Sequence, residues 1–93
     1  MFKIYIPERL TFLNVEAIKA IEDYLKDQQR IVEDVSLDFA LTNFVDSIGL
    51  GKVLKLYSSL RKKEKQLYIV NVQSEFLRRK FSYIQLHKII PWK

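Results

Sequence analysis

The 93-residue sequence has only two glycines, and both fall within the stretch Asp46, Ser47, Ile48, Gly49, Leu50, Gly51. An acid, a hydroxyl and then glycine at the junction between a strand-like and a helix-like segment have the makings of a functional turn. Glycine permits backbone conformations and close approaches that a Cβ obstructs. Asp46 and Ser47 lie at or just before a helix N-terminus, where free N–H groups and the positive end of the dipole favour an anion. A phosphate on Ser47 would be well placed there. On these residues alone the structural reading is the better one, with Ser47 as a plain N-cap and Asp46 as an acid of the first turn.

No other stretch offers comparable chemistry. The chain has no cysteine and a single histidine, His87, so it has the makings of neither an ordinary zinc site nor a Ser-His dyad. A phosphate-binding GxxxxGK(S/T) loop is missing from the sequence. These features imply no cofactor, no metal and no enzymatic activity. Tyr5, Tyr24, Tyr57, Tyr68 and Tyr83 recur in segments with apolar faces and are expected to be half-buried core residues, not a base-stacking platform.

The elements that must position the 46–51 stretch are readable from hydropathy. Residues 2–6 alternate Phe2, Ile4 and Ile6 with Lys3 and Tyr5, which predicts a strand stopped by Pro7. Asn14 caps a predicted helix over 15–28, with Val15, Ile18, Ile21 and Leu25 on one face. Residues 35–39 alternate Val35, Leu37 and Phe39 with Ser36 and Asp38 and read as a short central strand. A second helix is expected over 49–63, with an apolar face of Leu50, Val53, Leu54, Tyr57 and Leu60. Its end gathers Arg61, Lys62, Lys63 and Lys65 against the negative end of the dipole. Residues 67–72 form an apolar run broken only by Asn71, as expected of a strand buried on both faces. Ser74 caps a short helix carrying Leu77, Phe81 and Ile84, and residues 86–90 are expected to pack back on the sheet before Pro91 stops them. The alternation of strand and helix predicts an α/β fold, a mixed, mostly parallel sheet of about four strands with helices packed against it.

Length and composition suit one domain spanning residues 1–93. With 48% apolar and 29% charged residues and no apolar run of spanning length, an integral membrane protein is not expected. The start of the chain shows no signal-peptide pattern, so a cytoplasmic location is expected. Charge is uneven: residues 1–46 hold five basic and nine acidic side chains, residues 47–93 eleven basic and two acidic. Folding is expected to mix the halves in space, although a basic surface binding nucleic acid or anionic membrane stays open as an alternative.

The run VSLDFALTNFVDSIGL over residues 35–50 resembles the STAS domain pattern of a strand ending in an acid, a short loop, a hydrophobic pair and a D-S-(S/T)-G-L helix start. The resemblance continues through Tyr57, the basic helix end, LYIVNV and the closing LHKII, covering nearly the whole chain. Ile48 replaces the second hydroxyl of the motif, and Gln85 stands where the family has glycine. The stretch LTFLNVE over residues 10–16 is similar to the corresponding segment of sulfate-transporter STAS tails. In anti-sigma factor antagonists of this family the serine after the aspartate is phosphorylated by a partner anti-sigma factor kinase. The resemblance therefore implies Ser47 as phosphoacceptor and a partner-binding face of Asp38, Asp46, Ser47, Ile48, Gly49 and Leu50. It implies a protein partner, an anti-sigma factor or switch kinase; the alternative is a STAS scaffold subunit bound permanently to the ATPase of a lipid-transport ABC assembly.

Overall fold

The computed structural model describes residues 1–26 and 31–93. Strand β1 (Phe2–Tyr5), β2 (Arg9–Leu10), helix α1 (Val15–Lys26), β3 (Val35–Asp38), β4 (Phe44–Val45), α2 (Ser47–Lys62), β5 (Leu67–Val70) and α3 (Glu75–Tyr83) follow in order. A 3-10 turn at Leu86–Lys88 closes the chain. The expected end of the first helix near residue 28 lies outside the described residues.

Among the described residues the strands form two separate sheets, both parallel. The larger sheet has the order β1-β3-β5, and the smaller pairs β2 with β4. Beyond β5 the tail adds a rudimentary fourth strand: Ile69 donates to the Pro91 carbonyl (3.0 Å) and its own carbonyl accepts from Lys93 (2.8 Å). Pro91 was expected to stop the tail, but it serves the bridge through its carbonyl, and at a sheet edge its missing N–H costs nothing.

Strands added always in one direction, through crossovers of one hand, place every connecting helix on the same face. The register agrees. Val35, Leu37, Leu67 and Ile69 are fully buried on one face, together with half-buried Ile4, while Lys3, Tyr5, Tyr68 and Val70 on the other keep solvent contact. Strand β5 is thus covered on one face, not on both as its apolar run suggested. Central β3 is buried throughout, because the neighbouring strands shelter even Ser36 and Asp38.

The helices meet this face through an apolar cluster that includes Ala17, Ile21, Val53, Leu56, Leu60, Leu77 and Phe81. Helix α2 differs from expectation in its rotation. Its buried stripe is Gly49, Val53, Leu56 and Leu60, leaving Leu50 and Tyr57 half-buried and Leu54 38% exposed. On α1, Ala17 and Tyr24 are buried with Ile21, whereas Val15 is exposed; on α3, Ile84 lies past the helix and is exposed. Tyr5 and Tyr83 are surface residues, unlike the other tyrosines. Lys52 pairs with Glu22 at 2.6 Å, joining the acidic and basic halves of the chain across α1 and α2.

Candidate functional site

The site is built where the strands end and the helices begin. Leu10 in the small β2–β4 ladder accepts a hydrogen bond from the Asp46 N–H at 3.2 Å. Asp46 is the N-cap of α2: its Oδ1 accepts from the Gly49 N–H at 2.7 Å, while Oδ2 accepts from the Phe12 N–H at 3.1 Å. One carboxylate thereby satisfies an orphan helix donor and fastens the loop before α1 to the start of α2. The roles weighed for the pair are reassigned: Asp46 is the cap and Ser47 the first helical residue.

Gly49 explains the need for glycine. A Cβ there would lie 2.1 Å from the Leu10 carbonyl oxygen, so the helix can rest against β2 only without a side chain. Gly51 has open space around the same position, and neither glycine has positive φ. Close approach, not an unusual turn conformation, is the requirement, and only at Gly49.

With Asp46 occupied and Gly49 buried, the exposed side chains of the motif are those of Ser47 and Ile48, the latter 49% accessible, followed by half-buried Leu50 and exposed Gly51. Among the described residues no hydrogen bond uses the Ser47 hydroxyl. Asp38 is not on this surface. It is only 5% exposed, and its carboxylate accepts from the Ala40 N–H (2.9 Å) and the Asn71 amide (3.0 Å), with the Lys3 ammonium 3.7 Å away. Burial pushes its pKa up, but those donors and the Lys3 charge outweigh it and hold the carboxyl below its ordinary value.

Several surface residues of this end were not singled out from sequence. Phe12 and Leu13 project from the loop that Asp46 fastens, and both are exposed. Phe44 in β4 stacks on exposed Phe76 at the start of α3 (centroids 6.5 Å apart), and the charges of Arg9 and Lys80 sit 5.6 Å from the Phe44 ring. Lys80 also donates to the Val45 carbonyl. A pair of apolar residues directly before a helix cap, Phe12-Leu13-Asn14, was the available signal for the first two. Phe44 and Phe76 become neighbours only through the fold. Among the described residues no cluster of His, Asp or Glu could hold a metal, and no helix is long and apolar enough to cross a membrane.

A parallel sheet wound in one direction, with a serine exposed beside a capped helix start at its carboxyl end, defines a small α/β domain that presents this serine on a loop surface. The STAS domain family model matches residues 2–93, and the chain belongs to that family. A structure from Thermotoga maritima, of a protein proposed to be an anti-sigma factor antagonist, superposes with a TM-score of 0.76 at 18% identity, covering 97% of this chain and 77% of that one. The anti-sigma factor antagonist SpoIIAA in its unphosphorylated form superposes at 0.63 with 27% identity, over 87% and 72% of the two chains. No curated protein sequence matches the chain.

Proposed function

We propose that this chain is a non-enzymatic interaction module, resembling an anti-sigma factor antagonist, that docks an anti-sigma factor or switch kinase through the surface around Ser47 and is switched by phosphorylation of that serine. One observation carries the reading: Ser47 is exposed at the first turn of α2 while Asp46 does the capping, so the hydroxyl has no structural task. Around it the carboxyl end of the sheet leaves Phe12, Leu13, Phe44, Ile48 and Phe76 accessible, apolar area of the kind that interface cores use. A phosphate adds roughly −1.5 to −2 charges. It would be tolerated by the helix dipole yet stand beside the Asp46 carboxylate within an apolar surface, opposing a partner by charge and lost packing.

The same apolar residues also favour a second reading, permanent attachment to a transporter ATPase, because Ile48 offers packing where the family motif has a second hydroxyl. Calorimetric titration of the cognate partner against wild type, Ser47→Ala, Ser47→Asp and enzymatically phosphorylated protein separates them. A switch predicts binding by wild type and Ser47→Ala, weakened binding by Ser47→Asp, and phosphate mapped to Ser47 in protein from the host. Equal affinity of all forms, with no phosphate on Ser47, leaves the permanent scaffold.

A further inference from the structure

The hollows beside α1 each carry an acid of their own, Glu16, Glu22, Asp23 or Glu33. A further hollow, of about 360 Å³, differs from them. It lies just past β5, between residues 71–73, Arg78 of α3 and the tail, and among the described residues no acidic side chain lines it. Two cations do, Arg78 and Lys93, and among the described residues neither pairs with a carboxylate.

Each donor at this hollow is held by a contact that leaves it capacity to spare. The Arg78 Nε donates to the Val72 carbonyl at 2.7 Å, which anchors the guanidinium while its two Nη groups find no acceptor among the described residues. The Lys93 ammonium rests 4.1 Å from the centroid of the Tyr68 ring, a contact that places the charge without satisfying its three N–H donors. Trp92 is bridged to Ile69 through the backbone and set edge-on to Phe81, ring centroids 6.0 Å apart, yet its indole N–H is buried with no acceptor. An unpaired buried donor is uncommon in a folded protein, and this one belongs to a residue that lines the hollow.

We propose that this hollow binds a phosphate group, with the Arg78 guanidinium and the Lys93 ammonium on its oxygens and the indole N–H of Trp92 gaining the acceptor it lacks. Charge selects the ligand. Two cations without an acid leave two positive charges to balance, which a phosphate dianion does and a monocarboxylate only half does. The planar guanidinium also suits two phosphate oxygens at once. The volume exceeds that of a bare phosphate, and Ile69, Val72 and Trp92 supply apolar wall, so a phosphate monoester with a small organic part fits the same chemistry as the free ion. Ser47 does not line the hollow, and the site stands or falls apart from the phosphoswitch.

Trp92 is the only tryptophan, so its indole N–H gives a single peak in a proton–nitrogen correlation spectrum and reports on the hollow directly. Inorganic phosphate, glycerol phosphate and acetate are titrated at constant ionic strength against wild type, Arg78→Gln and Lys93→Gln. The indole peak of wild type should shift saturably with a phosphate compound, with a Kd below roughly 10 mM, and should not follow acetate. Each substitution should raise that Kd by at least about tenfold, since each removes a charge-assisted donor. Tighter binding of glycerol phosphate assigns the hollow to monoesters, and tighter binding of inorganic phosphate assigns it to the free ion. Should Arg78→Gln fail to fold, Lys93→Gln decides alone, because the Lys93 side chain makes no hydrogen bond among the described residues. No saturable shift with either phosphate compound, an equal shift with acetate, or a Kd unchanged in either folded variant overturns the proposal.

Discussion

At the scale of single residues, the two glycines of the motif have opposite meanings although they stand two positions apart. Gly49→Ala forces a methyl into the Leu10 backbone, 2.1 Å from its oxygen and 2.9 Å from its carbon, where no side-chain rotation relieves it. The loss in urea unfolding should reach the upper end of the roughly 1–3 kcal/mol typical of overpacking, or exceed it. Gly51→Ala meets nothing within 4 Å and sits inside α2, so it should stabilise by about 0.5–1 kcal/mol through helix propensity. Asp46→Ala removes the cap and the bond to Phe12 together, and should cost about 1–2 kcal/mol while loosening the Phe12-Leu13 loop. Protection of the Phe12 and Gly49 amides in hydrogen exchange reads the two bonds separately. Ser47→Ala should change stability by less than about 0.5 kcal/mol, since Asp46 and not Ser47 is the cap.

Among the elements, α2 shows where a one-dimensional pattern stops being informative. Its leucines at 50, 54, 56 and 60 and valine at 53 support two stripes, and periodicity alone does not choose between them. Contact between Gly49 and β2 chooses: once residue 49 faces inward, 53, 56 and 60 follow and Leu54 turns outward. Leu56→Ala should therefore cost about 2–5 kcal/mol and Leu54→Ala less than about 1 kcal/mol in the same unfolding assay. The three principal strands, the caps at Asn14 and Ser74 and the basic end of α2 were legible because each rests on local spacing or on one side chain's reach. Strands β2 and β4 were not, since two residues carry no period and their pairing joins segments 35 positions apart. Asp38 showed its type but not its inward orientation, which depends on Lys3 of β1 and on Asn71 just past β5. Gln85 adopts φ 58°, left-handed backbone that glycine accepts more readily. Gln85→Gly should raise the melting temperature, by up to about 1 kcal/mol of stability, and a lower melting temperature would show that the Gln85 side chain compensates for its backbone.

Across the whole molecule, the Asp38 carboxylate is the polar tie among all three strands of the sheet. It belongs to β3, takes the ammonium of Lys3 from β1, and takes the amide of Asn71, which follows β5 directly and itself holds φ at 58°. Burial alone would raise its pKa, but the Ala40 N–H, the Asn71 amide and Lys3 together lower it from 3.8. A carboxyl whose pKa is lower folded than unfolded binds fewer protons in the native state, so its stabilisation is complete above the unfolded value. That contribution fades as pH falls below about 4 and is gone once the folded carboxyl is protonated. Wild type should accordingly lose stability on acidification in this window. Asp38→Asn should flatten this part of the profile, and should be weaker at pH 7 by about 1–3 kcal/mol because an amide cannot accept on both sides. Asn71→Ala and Lys3→Met should each raise the Asp38 pKa, because each removes a partner that holds it down. Carbon-13 titration of the Asp38 carboxyl measures this without interference from the backbone strain that alanine adds at residue 71. Equal shifts in the two variants would mean that the exposed lysine contributes as much as the amide, and the tie would then be electrostatic and sensitive to salt.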